Sequence, residues 1–179
     1  IYFIGFMSTI NLKIINISWV LLNDVQENLT FDEKTFSKHK ERLIEQELGN
    51  ANYLIALLNE LPVGHVFIKW KGSEQPIIKN KLQRCPHIED IFVSPPNRNR
   101  KIGEKLIKKC IYLAKEKKFN QIGLGVEESN KKAKGLYSRF NFIEADINSY
   151  QDVWTGEDRE GNKTGPFSSL VKYFICKIN

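Results

Sequence analysis

The chain has 179 residues, 41% hydrophobic and 27% charged, with a formal net charge of +6. Such a composition excludes a low-complexity polymer and suits a globular domain large enough to bury a core, and no apolar run reaches the roughly 18 residues that a membrane-spanning helix needs. The excess of lysine is compatible with nucleic acid, a membrane surface or a polyanionic cofactor, and equally with a solvated surface.

The chain opens on "IYFIGF", ahead of its only methionine, Met7. This segment has no basic region and is too short for a signal peptide. We expect residues 1–6 to be an appended or disordered extension and residues 7–179 to form a single domain. "NLKIINI" (11–17) reads as a first strand, with Ser18 as a cap for the next helix. "WVLLNDVQENL" and "TFSKHKERLIEQEL" have helical period, stopped by Gly49-Asn50. "NYLIALLN" and "VGHVFIKWKG", separated by Glu60-Leu61-Pro62, read as an antiparallel hairpin. "SEQPIIKNKLQRCP" reads as a polar, mobile loop, and "HIEDIFV" as the next strand. "KIGEKLIKKCIYLAKEKK" is the clearest helix, with Ile102, Leu106, Cys110 and Leu113 on one face and lysines on the other. "QIGLGVE" is a strand and "NKKAKGLYSRF" a short helix; "FIEADINSY" and "SSLVKYFICKI" are late strands joined by the loop "GEDREGNKTG". The order β-α-α-β-β-β-α-β-α-β-β predicts an α/β (α+β) domain with a mostly antiparallel sheet.

Cys85, Cys110 and Cys176 lie far apart with no metal-ligand spacing. An odd number without a framework reads as reduced thiols in a cytoplasmic protein; Cys110 and Cys176 fall at apolar positions and belong to the core. His39 and His65 have no partners at ligand spacing and read as surface or structural, so no metal site is expected.

The stretch Val93–Cys110 is more pointed. A strand ends at Val93, a Pro/Asn/Arg-rich turn comes next, and a helix begins near Gly103, ringed by Arg98, Arg100, Lys101 and Lys105. A helix N-terminus crowded with positive charge suits an anion, most often a phosphate.

Residues 87–142 resemble the GNAT acyl-CoA-dependent N-acetyltransferases. Three pieces carry the likeness: a strand ending V-x-P (Val93-Ser94-Pro95), a Q/R-x-x-G-x-G/A loop (Arg98-Asn99-Arg100-Lys101-Ile102-Gly103), and N-x-x-A-x-x-x-Y-x-x-x-G/N-F (Asn130, Ala133, Tyr137, Asn141-Phe142). The resemblance implies a GNAT fold, a mixed, mostly antiparallel sheet flanked by helices with a splayed strand pair at the acetyl-CoA site. It also implies acetyl-CoA (coenzyme A) as co-substrate and a small-molecule or peptide amine as acceptor. Successive backbone N–H groups of Arg98, Asn99, Arg100, Lys101, Ile102, Gly103 and Glu104 would face the pyrophosphate. Ile91, Phe92 and Val93 would bind the pantetheine arm like an added strand, the N–H near Val93 would polarise the thioester carbonyl, and Asn130 would touch the arm from the other side. Lys101 stands where the family has its first glycine, so a demand for φ > 0 there would be strained.

An alkyl amine, with pKa near ~10.4, is mostly protonated at neutral pH and needs a base. Tyr137 matches the family's acid near the sulfur. Gly125 occupies the position of the glutamate that some members use as base. Others use the V-x-P strand, where "IEDIFV" is similar to streptothricin acetyltransferases; the candidates are Glu89 first and His87 second. Strict alternation puts both on the face of Ile91 and Val93, with Asp90 opposite. For the acceptor, Trp19, Phe31, Phe36, Trp70, Tyr150 and Trp154 supply aromatic surface, and Asp152, Glu157, Asp158 and Glu160 carboxylates.

The competing readings are a non-catalytic GNAT-fold module that binds acyl-CoA or a protein partner, and a nucleic-acid binder using the lysines of 101–118, which has no recognised motif. A dinucleotide or P-loop fold is disfavoured, because "GLGVEESN" has neither G-x-G-x-x-G nor GK[ST]. The expected protein is a monomer or homodimer with no nucleic-acid or membrane partner.

Overall fold

A computed structural model of the chain describes residues 11–30 and 33–178; the expectations for residues 1–6 and for Phe31 lie outside them. The strands are β1 (Leu12–Asn16), β2 (Ala51–Leu58), β3 (Leu61–Lys69), β4 (His87–Val93), β5 (Gln121–Glu127), β6 (Ile143–Glu144), β7 (Tyr150–Glu157) and β8 (Lys163–Lys177). The helices are α1 (Trp19–Leu29), α2 (Lys38–Glu47), α3 (Pro76–Lys81), α4 (Ile102–Glu116) and α5 (Lys131–Ser138). One sheet runs β1-β2-β3-β4-β5-β8-β6, with β7 paired to β8. The β4–β5 pair is parallel and the others are antiparallel. This is the α/β, mostly antiparallel architecture expected from the sequence.

Side-chain alternation along β2 shows how the layers form. Leu54 and Ala56 face the core under α4, with Ile102, Leu106, Ile107 and Cys110. Tyr53, Ile55 and Leu57 face the opposite core with Val25, Leu29 and Leu43 of α1 and α2. The sheet thus buries both faces, α4 and α5 on one and α1, α2 and α3 on the other. All three cysteines are buried and free.

Several expectations are corrected. The polar stretch 73–86 contains α3, which has Pro76 in its first turn and seats a fully buried Ile78 against Ala145, Ile147 and Tyr173; one buried side chain outweighs a polar composition. The hairpin turn is Asn59-Glu60, both at positive φ, with Leu58 opposite Leu61. The supposed long loop 156–165 shrinks to residues 158–162, closed by Asp158 Oδ1, which accepts from the amides of Glu160 (3.1 Å) and Asn162 (2.7 Å). Ser18 precedes α1 but its side chain caps no amide. Of the two readings for His39 and His65, surface or structural, burial keeps the structural one, since both are wholly buried.

One irregularity in β4 sets up the site. Phe67 pairs with Glu89 and His65 with Phe92, so Asp90 and Ile91 together oppose the single residue Val66. This is a β-bulge, and Asp90 takes φ +51° within it. Lys38 Nζ and Arg42 Nη1 of α2 donate to Asp90 Oδ2 at 3.0 and 2.7 Å. The extra residue breaks alternation. Ile88, Ile91 and Val93 pack toward α4, while His87 stacks on Tyr173 and Glu89 pairs with Lys69 on the other face. The expectation that His87 and Glu89 share a face with Ile91 and Val93, opposite Asp90, is therefore wrong.

Candidate active site

β4 and β5 pair at His87–Gly123 and Ile88–Leu124 and then part. Past that point a cleft of about 610 Å³ opens between the end of β4, the loop after it, the start of α4, and α5. Of the expected cofactor-binding residues, Ile91, Phe92, Val93, Arg98, Asn99, Lys101, Ile102, Gly103, Glu104, Asn130 and Tyr137 line it. Arg100 does not; it is exposed elsewhere on the turn. Lys132, Leu136 and Arg139 also line the cleft, with no motif to mark them.

The loop is built to aim amides. Arg98 Nε donates to Val93 O at 3.0 Å, tying the turn to the strand end. Asn99 and Lys101 both take the left-handed conformation, φ +63° and +60°, so Lys101 adopts the backbone that a glycine would favour. Its side chain caps nothing, which leaves the first-turn amides of α4 to the cleft. A methyl added at Gly103 would meet only Leu136 and Val93, each at 3.9 Å. The protein's own packing therefore tolerates a side chain there, and the open space lies on the cleft side. Glu104, the acidic residue of this first turn, is countered by Arg139 at 3.3 Å. Asn130 Oδ1 accepts from Ala133 N at 3.0 Å and so caps α5.

Tyr137 packs against the α4 core, its ring 5.9 Å from that of Phe142. Burial, with smaller effects of Cys110 and Asp90, pushes its phenol up to about 12. The phenol is therefore neutral at physiological pH.

The opposite face of the parting strands has its own order. Glycines alternate in β5. A Cβ at Gly123 would fall 2.5 Å from the Tyr173 ring, and one at Gly125 would fall 3.0 Å from Tyr150 Oη and 2.8 Å from Val171 Cγ1. The two glycines thus receive two tyrosines from β8 and β7. Tyr173 Oη lies 3.1 Å from His87 Nδ1. Burial, reinforced by Lys69 and opposed by Glu89 and Asp152, lowers the His87 pKa and keeps the ring neutral. Glu89 pairs with Lys69 Nζ at 2.9 Å. Burial would raise its pKa, but Lys69, His87 and Arg42 together bring it below the ordinary glutamate value.

Of the residues expected at the acceptor side, Tyr150 sets its hydroxyl against Gly125, and Asp152 lies two residues along on the same face of β7, where it accepts from Gln75 Nε2 at 3.0 Å. Trp70 does not: it stacks on Phe119 at 5.9 Å and donates to Asn52 Oδ1. Phe36 lies under Arg159 at 4.3 Å, and Trp154 packs with Phe167 along the β7–β8 hairpin. Asp158 closes that hairpin, Glu157 pairs with Lys163 on it, and Glu160 and Trp19 are exposed.

Known proteins carry the same pattern. The acetyltransferase (GNAT) family profile matches residues 19–142. A Bacillus subtilis (strain 168) protein provisionally named a [ribosomal protein bS18]-alanine N-acetyltransferase is 37% identical over 71 residues, 40% of this chain and 47% of that protein. Thialysine N-epsilon-acetyltransferase of Bos taurus is 43% identical over 68 residues, 38% of this chain and 34% of that protein. These matches span less than half of either relative. The crystal structure of an N-acetyltransferase from Staphylococcus aureus Mu50 superposes with a TM-score of 0.65 at 16% identity, covering 94% of this chain and 99% of the other. That likeness speaks to the fold, and the profile match spans well over half of the chain: this chain belongs to the acetyltransferase (GNAT) family.

Proposed function

We propose that the protein transfers the acetyl group of acetyl-CoA to a primary amine of a small molecule or peptide by direct attack, with base and acid assistance. The observation that carries this reading is the parting of β4 from β5 after Ile88 and Leu124, which opens one gap to both faces of the sheet. The α4–α5 side of the gap suits the co-substrate. There the first-turn amides of α4 and the dipole of a long helix favour a pyrophosphate, Lys101 adds charge, and the edge of β4 at Ile91–Val93 offers strand-like hydrogen bonding to the pantetheine amides. The opposite side, with Glu89, His87, Tyr150 and Asp152, suits the amine.

Acetyl-CoA supplies the activated acyl group. An amine entering from the acceptor side loses its proton, through water, to Glu89, with neutral His87 as the second candidate. The amide near Val93 faces the charge that develops on the thioester oxygen. Tyr137 gives its proton to the departing sulfur and regains one from solvent.

Calorimetric titration of acetyl-CoA, with free adenine nucleotide as control and a thiol-release assay on a set of amines, tests the reading. Micromolar binding that needs the pantetheine arm, together with amine-dependent thiol release, is the expected result. Binding without release from any amine would favour the non-catalytic module, whose support is Gly125 at the position of a family base.

A further inference from the structure

The acceptor side carries an arrangement that the motifs do not explain. In the β4–β5 register, the position opposite Gly125 is that of Glu89, one step beyond the last paired residues. Gly125 is exposed into the gap, and the hydroxyl of Tyr150 lies against it, 3.0 Å from where a side chain would begin. No described residue hydrogen-bonds this hydroxyl, in contrast to that of Tyr173, which His87 engages. Burial, with Asp152 and Glu89 close by, pushes the Tyr150 phenol up, so the group is neutral and keeps lone pairs to offer. Asp152 Oδ1 accepts from Gln75 Nε2 at 3.0 Å, while its second oxygen has no partner among the described residues. Glu89 pairs with Lys69 and also feels the charge of Arg42, whereas no ion pair engages Asp152 among the described residues.

We propose that Tyr150 is an acceptor-binding residue, its hydroxyl accepting a hydrogen bond from the incoming amine over Gly125, and that Asp152 selects amines tethered to a second cationic group, as in a diamine or a lysine-like side chain. The proposal rests on the acetyltransferase reading and adds the acceptor class to it. A partly buried carboxylate without a cation favours a positively charged partner, and a hydroxyl at the gap sets the nitrogen beside Glu89, where its proton leaves.

The test uses the full chain, acetyl-CoA, 1,4-diaminobutane and butylamine, with thiol release as rate and calorimetry for acetyl-CoA affinity. The wild type is expected to prefer the diamine by roughly tenfold or more in kcat/KM, the worth of one charge-assisted contact. Tyr150→Phe should raise the KM for the diamine about tenfold and leave acetyl-CoA affinity unchanged. Asp152→Asn should erase the preference between the two amines. Gly125→Ala, which displaces the hydroxyl and Val171 Cγ1 without removing either, should reproduce the amine-specific effect of Tyr150→Phe with acetyl-CoA affinity unchanged. Wild-type amine kinetics in both Tyr150→Phe and Gly125→Ala, or equal use of the two amines by the wild type, would overturn the proposal while leaving acetyl transfer standing. Absence of acetyl-CoA binding by the wild type would remove the function and the proposal together.

Discussion

Lys101 shows how a single residue can depart from a motif and keep its geometry. At φ +60° it holds the backbone conformation of the glycine it replaces, at a cost of about 1–2 kcal/mol for a residue with a Cβ. In return it places a cation beside the first-turn amides of α4. Tyr137 carries the most direct residue-level prediction. Its phenol is neutral and lines the cleft, so Tyr137→Phe should lower kcat by about 10²-fold with little change in acetyl-CoA affinity. Equal losses in turnover and affinity would assign the ring to packing instead. Residues of this kind are legible in sequence because the turn, the helix start and the Asn–Ala–Tyr spacing are all local. Gly123 and Gly125 are not legible in the same way. Alternating glycines in "QIGLGVE" signal that something crosses the strand face, but the tyrosines that do so come from β7 and β8, and no local pattern links them.

At the scale of elements, α2 governs more of the site than its polar sequence suggests. Arg42 is largely buried, its guanidinium 5.5 Å from the Tyr53 ring centroid and 5.2 Å from that of Phe67, and with Lys38 it anchors the Asp90 bulge that opens the gap. The bulge was illegible because period-two alternation assumes an unbroken ladder, whereas here two cations from a distant helix stabilise the extra residue. β4, β5 and α4 were legible because their periodicity is strong, and α3 was not because one buried isoleucine carries it. The same layer buries His39 and His65. His39 Nδ1 lies 2.6 Å from Tyr53 Oη, and both His65 nitrogens lack a partner among the described residues. Burial, then His65, Lys38 and Arg42, lowers His39 to about 2. Burial lowers His65 to about 3, with Arg42 and Lys38 adding to the effect and Asp90 opposing it. Unfolded, both would titrate near 6.5. Between those values the unfolded chain binds more protons, so stability rises with pH across the window and falls as pH drops below 6.5, by about 1.4 kcal/mol per unit for each histidine. Asp90 does not contribute to this loss: its carboxyl is held far below the usual range, because Arg42, His65 and Lys38 outweigh the opposing effect of burial, and its stabilisation fades only below about pH 4. Urea denaturation should therefore show roughly 4 kcal/mol less stability at pH 5 than at pH 7.5. His65→Leu should halve the slope, and a flat profile in the wild type would contradict the neutral burial of the pair.

At the scale of the molecule, the sheet is continuous except where β4 leaves β5, and that one gap faces the cores on both sides. A ligand seated along the β4 edge meets the α4 layer through the loop and the α1–α2 layer through the bulge, and it can bind only the folded chain. Such a ligand stabilises folding by mass action, about 2.7 kcal/mol at a hundredfold excess over Kd. For a chain of this size that corresponds to roughly 5–10 °C in Tm. Acetyl-CoA should give this shift, and an adenine nucleotide without the pantetheine arm a smaller one, because it reaches the loop but not the strand edge. The lysine-rich face of α4 offers the contrasting case, since a chain with net charge +6 also attracts polyanions without a built site. Binding of that kind weakens steeply between about 50 and 200 mM salt, whereas a ligand held by strand-edge hydrogen bonds and an apolar arm keeps most of its affinity. Thermal shifts with acetyl-CoA and with duplex DNA at both salt concentrations therefore separate the two. A salt-resistant shift with acetyl-CoA, and at most a salt-sensitive one with DNA, is expected. A larger shift with DNA than with acetyl-CoA at the higher salt would move the function from the gap in the sheet to the basic face of α4.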